Sequence, residues 1–262
     1  MFKISNLYIL FIFLLITSFI IADDHYISCS ICENHIKDKE YYVDIWGNPF
    51  HMYHKKTGTF CECCSRIISQ KITNGGYELN DGRYICSLCD VSIIKTDEEI
   101  NESLKKIETM LRKNHIDNIN QNEIKIDLIN RLKMNEHYKF NETDHLKGIT
   151  KINLNDEKMF HIYILDNLPK IQFEAILAHE LLHVWLYKKG IFLDKSTMEA
   201  FCNLGSYMVY KNDGTKFSKI HLMSLENTDT NSDAYKYKIL KNMMEENNFK
   251  HIIKNIERID IK

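Results

Sequence analysis

The chain has 262 residues, 44% of them hydrophobic and 27% charged, a balance that supports a packed core and excludes wholesale disorder. Its 34 basic and 36 acidic residues give a formal net charge of -2, so no global basic field marks it as a nucleic-acid binder. The length suits one ordinary domain plus a small module, and two prolines leave no proline-rich linker.

Residues 1–22 differ from everything after them. Lys3 is their only charge, and the apolar run from Leu7 to Ile21 ends at Ala22 before Asp23-Asp24. This is the pattern of a secretory signal cleaved after Ala22, with an uncleaved membrane anchor as the rival. Either reading places the rest of the chain outside the cytoplasm, secreted or anchored. Membrane contact is expected only in the second case.

A cysteine-rich segment follows, a predicted two-zinc module over 27–92. Cys29-x2-Cys32 precedes His51-x2-His54, and Cys61-x2-Cys64 precedes Cys86-x2-Cys89. Paired ligands two residues apart, with about 20 residues between pairs, favour structural zinc over disulfides. Two closed sites are expected, one of two cysteines and two histidines, the other of four cysteines. Cys63 is a candidate replacement for Cys64 or a free thiol, and Asp90 is a candidate replacement for Cys89. Short β-runs flank turn signals at Gly47-Asn48 and at Asn80-Asp81-Gly82, so each half carries a hairpin next to its ligands.

A second region, 96–260, reads as α+β. Thr96-Asp97-Glu98-Glu99 opens a helix over 96–113, with Ile100, Leu104, Ile107 and Leu111 on one face. Strands are predicted at 124–129, 148–153 and 159–165. Helices follow at 171–189, stopped by Gly190, at 196–211 and at 231–257. The strand at 159–165, directly before the first of these helices, is the candidate edge for pairing with an extended substrate.

The chemistry concentrates in His179-Glu180-Leu181-Leu182-His183. On a helix the two histidines lie one turn apart on one face and can share a zinc ion. Glu180 falls beside the metal, where a carboxylate can take a proton from activated water and pass it to a leaving amine. Gly and His do not occupy the later positions that would supply a third histidine, since Leu186 and Lys189 stand there. A carboxylate is the alternative. Glu199 follows His183 after 15 residues; Asp194 and Glu174 compete, and Ser196-Thr197-Met198-Glu199 also reads as a capping box. Asn203, one turn beyond Glu199, can support a ligand by a hydrogen bond. Tyr235, Tyr237 and His221 are candidate donors to transition-state charge. Cys202 reads as a core residue and His161 as a strand residue.

The run Ile176 to Leu186 with Gly190, then Glu199-Ala200-Phe201-Cys202, resembles the DA-one family of LIM-domain zinc metallopeptidases. Asn167-Leu168-Pro169 and Tyr235 after Asp229-Thr230 fit the same pattern, and the cysteine segment is similar to the family's LIM-like module. The resemblance implies a gluzincin-like metallopeptidase domain, with His179, His183 and Glu199 holding one catalytic zinc, Glu180 as base and Tyr235 as the favoured donor. Two structural zinc ions would make three in all. Six residues separate His54 from Cys61, where a standard LIM domain has two, so LIM partners and activation by ubiquitin do not carry over. The expected activity is hydrolysis of protein or peptide substrates, with a protein partner for the LIM-like module and no nucleic acid. The rival is a catalytically silent, zinc-scaffolded adaptor, which would have no need of Glu180.

Overall fold

The computed structural model describes residues 26–138, 146–156, 158–226 and 232–256; the predicted signal segment 1–22 lies outside them. The fold is mixed α+β with small sheets. Among the described residues no helix is long and apolar enough to cross a membrane.

The cysteine-rich segment folds as two hairpins with single-turn helices. β1 (Tyr42–Val43) pairs with β2 (Pro49–Phe50), and α1 (His54–Thr57) follows. The β1–β2 turn is held by Asp44, whose carboxylate accepts from the backbone of Trp46, Asn48 and Ile67 at 2.9, 2.9 and 3.1 Å. Gly47 supplies the positive φ of +92° that the turn needs. After α2 (Gln70–Thr73), β3 (Gly76–Glu78) pairs with β4 (Tyr84–Cys86), which leads into α3 (Ser87–Asp90).

The remaining elements carry the second region. α4 (Asp97–Lys113) starts in the predicted capping box of Thr96 and Glu99. A 3-10 turn (Gln121–Glu123) and β5 (Ile124–Ile129) follow, then α5 (Arg131–Tyr138), β6 (Gly148–Ile152) and β7 (Phe160–Leu165). α6 (Lys170–Lys189) ends at Gly190 in the left-handed conformation. α7 (Lys195–Asp213), α8 (Lys216–Glu226), α9 (Ser232–Asn247) and α10 (Phe249–Asn255) complete the chain. Two expectations shift here. The 231–257 helix is broken at Asn248, whose φ is +70°, and the sequence patterns had missed α5 and α8.

The three-stranded sheet has the order β5-β7-β6, parallel between β5 and β7 and antiparallel between β6 and β7. The expected substrate edge at 159–165 is therefore wrong. β7 is the central strand, with Phe160, Ile162 and Ile164 fully buried, and β5 and β6 are the edges. A strand paired on both sides has no free backbone groups to offer a peptide.

α6 lies at the centre of the core, packed by α7, α4, β6 and β7. Phe173, Leu177, Ala178, Leu181, Leu182 and Trp185 are all at most 2% exposed. Its neighbour α7 comes unusually close: a Cβ on Gly205 would stand 2.7 Å from the Ala178 carbonyl oxygen. The second cysteine half belongs to this same core. Cys61, Cys64, Ile85, Cys86 and Ile93 join one buried cluster with the helices, while the first half has its own small cluster of Cys29, Ile36, Phe50 and Ile67. Hydrogen bonds between Lys170 N and Ser92 O (2.7 Å) and between Ile94 N and Leu168 O (3.2 Å) join the end of the module to the start of α6.

Gly205→Ala will force α6 and α7 apart. A loss of about 1–3 kcal/mol is expected, read as a lower denaturant midpoint with an unchanged slope. Wild-type stability in this variant would mean that the helices do not meet at this point.

Candidate metal centre

α6 carries His179 and His183 on one face, as their one-turn spacing dictates. Their Nε2 atoms approach to 3.1 Å. Glu199, in the second turn of α7, brings one carboxylate oxygen to 3.2 Å from His179 Nε2 and the other to 3.8 Å from His183 Nε2. Two nitrogens bound tetrahedrally to one zinc ion stand about 3.3 Å apart, so this donor set fits a single zinc ion. Asn203 Oδ1 lies 3.0 Å from His179 Nδ1. With Nδ1–H donating to Asn203, the Nε2 lone pair is left to face the convergence point.

The competing carboxylates point elsewhere. Asp194 is the true N-cap of α7, accepting from Thr197 N at 3.1 Å, and Lys236 holds it from α9 at 2.9 Å. The capping box expected at Ser196–Glu199 is therefore not formed, and Glu199 is free of the helix end. Glu174 is buried on α6 and paired with Lys106 of α4 at 2.5 Å.

Glu180 is 4% exposed and faces β6. Thr150 Oγ1 donates to its Oε2 at 2.7 Å, and Gly148 lies against Oε1 so closely that any Cβ there would overlap it. Burial pushes the Glu180 carboxyl above its ordinary value, with His179 and Thr150 opposing the rise. His183 is drawn down to about 4 by burial, reinforced by His179. Burial also works to lower His179, but the bond and charge of Glu199 and the charge of Glu180 outweigh it and raise its value. Glu199 is held low by His179 and His183 against the opposing effect of burial.

Cys202 also places its Sγ within 4.8 Å of a ring nitrogen of each histidine. It is completely buried, and desolvation followed by the charges of Glu199 and Glu180 keeps it a thiol. Glu199 offers the alternative third donor: its two oxygens meet both Nε2 atoms, and its side chain is 31% exposed where Cys202 is buried.

Two further clusters can each hold a metal ion, Cys29-Cys32-His51-His54 and Cys61-Cys64-Cys86-Cys89. Cys64 and Cys86 stand 3.7 Å apart, close to the roughly 3.8 Å expected between two sulfurs on one zinc ion. Cys86 N donates to Cys61 Sγ at 3.3 Å. Cys63, Cys64, Cys86 and Cys89 crowd Cys61 and hold its thiol far below the ordinary range. In the first cluster Cys32 Sγ is 3.5 Å from His51 Nδ1. His54 Nδ1 is taken by Thr57 at 3.1 Å, which leaves a buried Nε2 without a protein partner, as a metal-facing nitrogen would be. All eight cysteines are unbridged. Cys63 lies beside Cys61 but also donates its thiol to Asn167 O at 3.4 Å, and Cys61 together with burial raises its value well above the ordinary. Asp90 pairs with Tyr77 and Lys95 instead of replacing Cys89.

Of the candidate donors, His221 is stacked on Tyr210 with rings 5.1 Å apart, and Tyr237 is fully buried. Tyr235 is 59% exposed on α9, next to the Lys236 that reaches Asp194, and it makes no contact with the histidine–glutamate cluster. His161 sits on β7 with Asp127 at 2.7 Å, away from the cluster, as a strand residue. Thr150 and Gly148 were not picked out from the sequence. A glycine inside a β-run was the available signal, since it marks close backbone approach.

Metal analysis of the purified chain is expected to find zinc at each of the three clusters. His183→Ala should lower the count by one, and Cys61→Ser should do so independently. A chain with a single zinc ion and its thiols oxidised to disulfides would contradict this.

No curated protein and no solved structure matches the chain significantly. A scan against protein families matches the family described as DA1-like, Protein DA1, over residues 142–261. That span contains the edge strand β6, both histidines, Glu180 and Glu199, so the DA1-like match covers the whole histidine–glutamate cluster.

Proposed function

We propose that the protein is a zinc-dependent peptidase, an endopeptidase acting on proteins or peptides, with a gluzincin-like catalytic domain. One observation carries the reading: a carboxylate from α7 converges with two histidines of α6, while a second carboxylate is buried beside them and oriented by a strand. His179, His183 and Glu199 are the ligands in this reading. Zinc bound there supplies Lewis acidity, which polarises a peptide carbonyl and acidifies water.

Glu180 is the general base. Its burial raises its proton affinity, which suits a group that must accept a proton from the attacking water and give it to the departing amine. Thr150 holds one oxygen, and the other lies against Gly148, so β6 sets the orientation of the carboxylate. β6 is the edge strand beside this carboxylate, with β7 its one sheet neighbour among the described residues, and an extended substrate backbone can add to it as a further strand. Tyr235, exposed on α9 beside the Lys236 that reaches the Asp194 N-cap of α7, is the proposed donor to the oxyanion.

The two cysteine clusters are structural in this reading and form a LIM-like module that restricts access to the cleft or binds a protein partner. The first cysteine half exposes Val43, Ile45 and Tyr53, which suits partner contact. Those side chains also favour the second reading, a silent zinc-scaffolded adaptor. Export through residues 1–22 completes the proposal, with the chain secreted or anchored outside the cytoplasm.

Glu180→Gln keeps the size of the base and removes its proton affinity. Hydrolysis of casein or a peptide library should fall by at least about a hundredfold, with zinc content unchanged. Equal cleavage by both forms would refute the role of Glu180, and no cleavage by the zinc-loaded wild type would favour the adaptor.

A further inference from the structure

We propose that the cysteine knuckle at 61–64 positions the catalytic carboxylate, acting through Glu62 and the first residues of β6. The proposal rests on the reading of Glu180 as the base. The two residues of β6 that touch the Glu180 carboxylate are Gly148 and Thr150. As an edge strand, β6 has β7 as its one sheet neighbour, so a second anchor at its end governs where it lies.

That anchor is the knuckle. Lys147 Nζ donates to the Glu62 carbonyl at 3.1 Å and stands 3.5 Å from its carboxylate. Arg131 reaches the same carboxylate at 3.2 Å and also donates to the Leu146 carbonyl. The Arg131 backbone is fixed in turn by Asp81 of the β3–β4 turn at 2.8 Å. Residues 146 and 147 are thus gripped directly before the glycine that leans on Glu180.

The grip is stiff at its source. Glu62 N donates to Tyr84 O at 2.8 Å, and Ser65 N to Cys61 O at 2.8 Å, so Glu62 is fixed between two of the four sulfur donors. The side chains are shielded as well: Arg131 is 9% exposed, Lys147 21% and Glu62 25%. A partly desolvated, hydrogen-bonded ion network resists displacement better than an isolated surface pair. Glu62 is therefore a positioning residue. Releasing it frees Gly148 and Thr150 to shift, and sub-ångström shifts of a proton acceptor are costly in catalysis.

Glu62→Gln removes the charge at constant shape, and Lys147→Met removes the partner at a distance from the sulfurs. Hydrogen exchange of the full zinc-loaded chain is followed at amides 148–152, with 124–129 and 160–165 as internal reference. Both variants are expected to keep their zinc, to exchange at least about tenfold faster at 148–152 alone, and to lose about tenfold in kcat. Should Glu62→Gln lose metal, Lys147→Met decides. Wild-type exchange at 148–152 in Lys147→Met, or acceleration spread evenly over all three strands, would overturn the proposal. Exchange needs no substrate, so a chain that cleaves nothing still tests the coupling, separately from the peptidase reading.

Discussion

Ala178 and Gly205 meet at a distance that no side chain would allow, and the site is built on that approach. α6 presents two histidines but has no third donor of its own facing the same point. The donor comes from α7, and its reach depends on how close the two helices lie. Glu199, Cys202 and Asn203 all lie within two turns before Gly205, so the glycine sets their distance from His179 and His183. A methyl group at this crossing would push the carboxylate away from both imidazoles.

The same centre is braced from the opposite side. β6 supplies Thr150 and the bare backbone of Gly148 to Glu180, and the cysteine knuckle grips the end of β6. The second cysteine half is accordingly part of the central core, whereas the first half has a cluster of its own. Arg83 strengthens the join: it is 7% exposed and binds Asp81 at 2.8 Å within its own turn, and Asp166 at the end of β7. Burying such a guanidinium is tolerable only with these partners in place, so the network favours one seating of the two parts.

Much of this was legible in the sequence. The period of α4 and its capping box, the stop at Gly190, and the ligand pairs two residues apart each reflect a local rule, and local rules are visible in local patterns. The region containing the histidines was also recognisable as DA1-like. What escaped depends on tertiary contacts. Strand 160–165 reads as well for an edge as for a centre, because which neighbours pair with it is settled by chain segments far away. Ser196 to Glu199 reads as a capping box, yet Asp194 takes the N-cap and frees Glu199. Cys63 and Cys64 compete for one ligand position in the sequence; only the fold brings Cys64 to Cys86 and gives the Cys63 thiol the Asn167 carbonyl. The coupling of Glu62 to Glu180 joins residues more than a hundred positions apart and leaves no local trace.

In the proposed centre one metal ion sits where α6 and α7 meet, held by His179, His183 and Glu199, with Glu180 beside it. Anomalous diffraction from crystals of the zinc-loaded chain, collected on both sides of the zinc edge, tests this most directly. The account predicts a peak among the two Nε2 atoms and the Glu199 carboxylate, at about 2.0–2.2 Å from each donor. A metal bound by Cys202 in place of Glu199, or no peak at this position while the two cysteine clusters are filled, would contradict it.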